Sequence, residues 1–268
     1  MLLAIRHETI YRYTASQAYS IQQLHMTPRV EVQQVVQAWQ LSTPGHCHAY
    51  TDCFDNPSHM LTLNEPHGSV AIVARGVVAT TALPGARLAP DEFSPLIFTV
   101  PTRLTAPGAP VLEFAASALP GRPRHAGTRD LIGLAERIVG AVAYQSGATN
   151  VVSTASEALG LGAGVCQDHA HLFLACCHAR GVPARYVSGY IDPESTGHAA
   201  SHAWVDAWAS DPGFTGWVSI DVTHARLMTD AYCRLAIGRD YDSAAPVRGM
   251  RRGAGGEAMT VDVQIMPV

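Results

Sequence analysis

The residues best suited to carry chemistry in this chain are Cys166, His202 and Asp221. A cysteine becomes a working nucleophile when a base takes its proton and a third group holds that base in place. Cys166 follows Gly162-Ala163-Gly164-Val165 and opens a stretch in which Ala170, Phe173, Leu174 and Cys177 recur on one face of a 3.6-residue period. In the first turn of a buried helix, unpaired backbone N–H groups and the positive end of the dipole both favour a thiolate. His202 lies in Ser201-His202-Ala203-Trp204-Val205, and Asp221 in Trp217-Val218-Ser219-Ile220-Asp221-Val222-Thr223. If these two strand-like runs are adjacent and antiparallel, the imidazole and the carboxylate become cross-strand neighbours. His202 is then the base and Asp221 the acid that fixes its tautomer. The Cys166 backbone N–H is an oxyanion donor.

Other side chains compete for places around this centre. Asp206 shares a strand face with His202 and Trp204, but residues i and i+4 on a strand lie too far apart for a firm grip on the imidazole. Tyr144, upstream of the cysteine, offers a hydroxyl to the oxyanion. Gln167, His169 and Trp204 each stand close in sequence to a member of the trio and are further oxyanion or cleft candidates. His171 reads as a structural hydrogen-bonder, and Asp240 and Tyr241 as residues of the cleft border or of a turn. His46, Cys47, His48 and Cys53, with His59 nearby, have ligand chemistry, but their spacing matches no common zinc pattern. They are expected on an exposed strand and its turn, and no metal or cofactor is expected.

The elements that must hold these residues can be read in order. Residues 3–13, 35–41 and 69–79 are β-rich and separated by turn signals, which predicts an antiparallel β domain over residues 1–100. Residues 101–127 are broken by Pro and Gly and read as a linker with room for one short helix at 111–119. A domain over 128–268 follows. It begins with a helix capped by Thr128 that carries Leu131, Leu134, Ala135 and Ile138 on one face. The Cys166 helix stops near Arg180-Gly181, with Pro183 just beyond. Strand-like runs at 184–191, 201–208 and 216–222 come next, then a loop-like tail over 238–256 and a closing strand at 259–266. The fold class is α+β.

Composition narrows the partners. The chain has 268 residues, 47% hydrophobic and 15% charged, enough for a sizeable core. With 18 basic and 22 acidic residues, its formal charge is -4, which points away from nucleic acid and anionic membranes. The N-terminus shows no basic, apolar leader, and no run is long enough to span a membrane. The six cysteines include the adjacent pair Cys176 and Cys177 in a predicted buried helix, which suits reduced thiols and a cytoplasmic location. Oligomeric state is open.

The blocks Gly164-Val165-Cys166-Gln167-Asp168-His169-Ala170-His171, Gly181-Val182-Pro183-Ala184-Arg185-Tyr186-Val187-Ser188-Gly189-Tyr190 and Ser201-His202-Ala203-Trp204-Val205 together resemble the transglutaminase-like superfamily, whose core is papain-like. The Asp221 strand is similar to that family's aspartate strand. The opening Ile5-Arg6-His7-Glu8-Thr9 with Tyr11 and Tyr13, and the tail from Gly238 to Gly249, resemble the bacterial subgroup. The resemblance implies an N-terminal antiparallel β domain followed by a core in which a Cys-bearing helix packs on an antiparallel sheet. It implies Cys166 as nucleophile, His202 as base and Asp221 as orienting acid, with a thioester intermediate on a peptide- or protein-derived amide. His169 departs from the subgroup, which has a bulky aromatic there, so the wall beside the thiol is expected to differ. Water is the expected acceptor, because no second, amine-binding module is visible. Transfer of a glutamine acyl group to an amine, and a non-catalytic binding protein of the same fold, remain the alternatives.

Overall fold

The computed structural model describes residues 1–121, 124–192 and 200–268. The first sheet is built along β1 (Leu2–Leu24), whose inward positions Leu3, Ile5, His7 and Thr9 are buried in strict alternation. β2 (Gln34–Ser42), β3 (His46–Thr51), β4 (Pro57–Leu63) and β5 (His67–Thr80) complete its N-terminal part. β5 pairs with the first half of β1 and β4 with the last residues, while β2 and β3 lie outside them. The three strands expected from sequence are present and longer, and the β3–β4 hairpin adds to them. All pairings are antiparallel, and the sheet curls into a half-barrel.

Part of the stretch expected to link the two halves, a helix within it, packs into the core. α1 (Ala109–Ala118) buries Val111 and Ala115, and it lies against the cysteine helix. α2 (Thr128–Ala141) buries Leu131, Leu134, Ala135 and Ile138, the predicted face. Its N-cap is Gly127 rather than Thr128. The Thr128 hydroxyl and N–H are both spent on the Asp211 carboxylate, at 2.6 and 2.8 Å.

β6 (Ala143–Tyr144), α3 (Ala155–Leu161) and β7 (Ala163–Gly164) lead into α4 (Cys166–Ala179). β6 and β7 pair in parallel, Tyr144 opposite Gly164. α4 is buried from Gln167 to His178, on every side and not only on the periodic face, because α1, α2 and α3 surround it and β8 and β9 lie beneath. The second sheet is antiparallel, in the order β11-β10-β9-β8-β12. Its strands are β8 (Ala184–Ile191), β9 (Ala200–Asp211), β10 (Phe214–Asp221), β11 (Arg226–Leu227) and β12 (Tyr232–Gly238). A short α5 (Tyr241–Ala244) follows.

The tail departs most from expectation. The loop-like stretch contains β13 (Val247–Gly253), and β14 (Glu257–Pro267) extends the closing strand at both ends. Both pair with β1, so residues 247–267 complete the first sheet rather than the second. β13 lacks β-branched residues beyond Val247. Its glycines allow it to lie close to β1: a Cβ on Gly249 would stand 2.3 Å from the Ile21 carbonyl oxygen, and one on Gly253 2.3 Å from Gln17 Oε1. The sheets meet across Leu3, Ile5, Val78 and Ile265 on one side and Tyr190, Cys233 and Leu235 on the other.

Candidate active site

The start of α4 is fixed by Asp168. Its Oδ2 accepts the Val165 N–H at 2.8 Å and the Thr149 hydroxyl at 2.6 Å, closing the first turn in the manner of a capping box. Gly164 must be glycine, because a Cβ there would stand 2.7 Å from the Asp168 side chain. Cys166 is the first helical residue, and N–H groups in that turn have no acceptor within the helix.

His202 reaches this point from β9 and is buried. Its Nε2 lies 2.9 Å from Asp221 Oδ2, which leaves Nδ1 as the ring atom for the thiol. Burial works against charge on the imidazole. Hydrogen bonds to Asp221 and then to Cys166, together with the negative charge of both, outweigh it and push His202 up to about 10. The ring is thus a cation at neutral pH, between a carboxylate and a sulfur.

Asp221 is fully buried, and four donors surround it. Oδ2 accepts His202, His224 Nδ1 at 2.7 Å and the Tyr232 hydroxyl at 2.7 Å, while Oδ1 accepts the His224 N–H at 3.2 Å. Burial alone would raise the carboxyl. The hydrogen bonds from His202, His224 and Tyr232 instead hold it far below the usual carboxylate range. Arg226 Nε donates to the Tyr232 oxygen at 3.0 Å and orients that hydroxyl.

The remaining candidates sort by what they touch. Trp204 stacks beside His202, with ring centroids 6.1 Å apart, and its Nε1 donates to Ser219 Oγ at 3.1 Å, so it walls the imidazole. Gln167 turns its amide to the Val151 carbonyl at 3.3 Å, away from an oxyanion role. His169 stands behind the cleft wall rather than in it. It is buried, its Nε2 donates to the Val142 carbonyl at 2.9 Å and its Nδ1 accepts the Thr223 hydroxyl at 3.1 Å. It ties α4 to the end of α2 and to the loop after Asp221. His171 accepts the Tyr241 N–H at 3.1 Å, as a structural residue does.

Tyr144 is exposed on the rim. Burial of part of its ring and then the charge of Cys166 raise its phenol; burial above all raises those of Tyr186 and Tyr241, with Cys166 adding to both. Asp240 caps α5 by accepting the Ser243 N–H at 3.1 Å. Asp206 is committed elsewhere, pairing with Arg185 at 2.8 Å and Arg234 at 2.7 Å.

Sequence reasoning did not reach His224, Tyr232 or Tyr186. His224 was within reach, being three residues after Asp221. Tyr232 carries no local signal, because only the sheet brings it to the carboxylate. Among the described residues, the donor atoms of His46, Cys47, His48, Cys53 and His59 do not gather. The group whose donors do is His202, Asp221 and His224, with ligand atoms within 4.8 Å of one another. No helix among the described residues is long and apolar enough to cross a membrane.

Comparison with known proteins bears on this geometry. Residues 3–79 match the bacterial transglutaminase-like N-terminal region, and residues 125–222 match the transglutaminase-like superfamily. An uncharacterized protein of Mycobacterium tuberculosis is 32% identical over 98% of this chain and 92% of its own length. One from Mycobacterium leprae is 28% identical, covering 98% of each chain. A crystal structure of a candidate cysteine protease from Cytophaga hutchinsonii has the same fold, with a TM-score of 0.78 over 99% of this chain and 90% of that one, at 21% identity. The chain therefore belongs to the transglutaminase-like superfamily, in the branch that carries the bacterial N-terminal region.

Proposed function

We propose that the protein is a cysteine-nucleophile acyl-transfer enzyme that hydrolyses a peptide, isopeptide or other amide bond through a thioester on Cys166. One observation carries this reading: a buried, charged His202 between Asp221 and the Cys166 sulfur. In such a pair the imidazole holds the proton that the sulfur gives up before it attacks.

In this mechanism the Cys166 sulfur attacks the carbonyl carbon, and the developing oxyanion is met by the Cys166 N–H at the helix start. His202 gives its Nδ1 proton to the leaving nitrogen as the C–N bond breaks, and an amine departs. A water molecule then attacks the thioester, His202 takes one of its protons, and the C–S bond breaks to release a carboxylic acid and the thiolate. Asp221 stays ionised throughout and stabilises the imidazolium. The substrate is a peptide- or protein-derived amide. The six cysteines are all free, and Cys176 and Cys177 are buried side by side, which supports a reducing, cytoplasmic setting.

The test is product analysis. A glutaminyl peptide and an isopeptide are incubated with the protein and a labelled amine, and products are read by mass spectrometry. Free acid with little amine incorporation is expected. Robust incorporation would make the protein a protein-glutamine acyltransferase. Neither product, with Cys166 alkylated no faster than the buried cysteines, would leave a binding protein of this fold.

A further inference from the structure

His224 is more than the thiol–imidazole pair requires. It brings a second imidazole to the same carboxylate oxygen that His202 uses, from the side open to solvent. Its side chain is 31% exposed, against 7% for His202 and 0% for Asp221. The ring centroids of the two histidines are 5.5 Å apart. His202 Nε2, Asp221 Oδ2 and His224 Nδ1 lie within 4.8 Å of one another. Zinc binds imidazole nitrogen and carboxylate oxygen at about 2.0–2.2 Å, so one ion among three atoms so spaced can reach all of them.

From this geometry we infer that His202, Asp221 and His224 form a binding site for a single borderline-soft divalent cation, Zn2+ above all, and that its occupancy switches the thiol centre off. The switching clause rests on the function proposed above; the binding clause does not. Two imidazoles and one carboxylate, with a fourth position open toward solvent, suit Zn2+ and disfavour Mg2+ and Ca2+, which take oxygen ligands. The carboxylate is held from behind: Tyr232 donates to it at 2.7 Å, and Arg226 to Tyr232 at 3.0 Å. Such outer partners keep a ligand in place when an ion arrives.

The proton balance is simple. The nitrogens that face Asp221 carry hydrogens in the resting state, because each donates to it. Binding releases the Nε2 proton of His202 to solvent, and the Nδ1 proton of His224 leaves for water or for its own outer nitrogen. His202 keeps the hydrogen on Nδ1, toward the sulfur. With Nε2 on the ion, giving up the Nδ1 hydrogen would leave a metal-bound imidazolate, so the ring no longer protonates the leaving nitrogen as the imidazolium does. Catalysis stops although Cys166 is untouched.

A rival arrangement would place the ion on the other side of the imidazole, between the Cys166 sulfur and His202. The experiment separates the two. His46 and His48, exposed on β3, are first replaced by glutamine, so that surface binding is not counted. Zn2+ is titrated calorimetrically into this background, into Cys166→Ser and into His224→Gln, with His224→Asn as a second variant and circular dichroism to verify folding.

The expected result is one ion per chain, with affinity kept within about threefold in Cys166→Ser and lowered at least about 100-fold in both His224 variants. X-ray absorption at the zinc edge is expected to show nitrogen and oxygen neighbours only. A zinc–sulfur distance of about 2.3 Å would overturn the proposal, as would binding that survives in the His224 variants but is lost in Cys166→Ser. An absence of stoichiometric binding to the background protein would overturn it as well. Cys166→Ser has no thiol to catalyse with, so the binding result stands apart from whether the protein is a hydrolase.

Discussion

His202 Nε2 and Asp221 Oδ2 lie 2.9 Å apart, although the pairing of β9 with β10 runs out at Val205 opposite Ile220, short of both residues. The contact is therefore a diagonal one at the end of the pair, rather than a directly opposed one. It holds because Tyr232 and His224 fix the carboxylate from two further directions. Asp221→Asn keeps the shape and removes the charge. Turnover of an amide substrate is expected to fall by about 10²–10⁴-fold, the usual worth of positioned acid–base catalysis. A loss of less than threefold in steady-state kinetics would count against the assigned role of Asp221.

Cys166 is expected to react with iodoacetamide well ahead of Cys176 and Cys177 at neutral pH. Burial pushes the Cys176 thiol up to about 12, and burial with the neighbouring Cys176 drives Cys177 well above its ordinary value. In His202→Ala the Cys166 rate is expected to fall at least about tenfold, because the sulfur loses the base that takes its proton. Time-resolved peptide mass spectrometry reads all three sites together. Equal rates at the three, or an unchanged rate in His202→Ala, would contradict the pairing.

Gly189 stands directly opposite His202 on β8. A Cβ there would lie 2.2 Å from the Cys233 carbonyl oxygen and 2.5 Å from Cη2 of Trp204. Backbone cannot move aside cheaply, so Gly189→Ala is expected to cost about 1–3 kcal/mol in urea unfolding. Trp204 stacks on His202, and its displacement is expected to slow Cys166 alkylation in the folded protein too. An alanine tolerated without change in either measurement would mean that the packing here is looser than the geometry implies.

Asp206 tests the division of labour between the two acids of the sheet. It is fully buried between Arg185 and Arg234, and Arg234 also meets Glu31 at 2.8 Å, so the network joins the catalytic sheet to the loop before β2. Asp206→Ala leaves buried guanidinium groups short of a partner and is expected to destabilise the protein by about 3–5 kcal/mol. Under conditions where the variant is folded, Cys166 alkylation is expected to stay within about twofold of wild type, because Asp206 does not touch the imidazole. A large loss of thiol reactivity in folded Asp206→Ala would return it to candidacy as the orienting acid.

Acid should weaken the fold through three histidines outside the site. Burial holds His7, His171 and His178 each down to about 4. In the unfolded chain they protonate near 6.5, so between about pH 6.5 and 4 the unfolded state binds more protons than the folded one. Stability that is present above pH 6.5 is then lost as pH falls, by up to about 4 kcal/mol per unit if all three titrate together. Thermal melts from pH 7.5 to 4.5 should show this slope, and a flat profile across that range would refute it.

How much of this was legible in the residues alone follows from which interactions are local. The α4 start, its glycines and its stop at Gly181 are written within some twenty residues, and the β8 run coincides with the strand observed. Cys166, His202 and Asp221 each stand in a short pattern of their own, so their types and neighbours suffice to single them out. Other features depend on residues far apart in the chain. Tyr13 pairs with Glu257, and Gln34 accepts the Arg234 N–H at 2.7 Å. No local periodicity records that β13 and β14 return to β1, or that Tyr232 supports the acid. Side-chain direction was also beyond the sequence: His169 stands three residues after Cys166 yet faces Val142 and Thr223, and Asp206 turns to two arginines. Backbone patterning therefore determined the elements and named the chemistry. Tertiary packing decided which buried polar groups found partners, because a buried donor or acceptor must be satisfied by whatever the fold brings within about 3 Å of it.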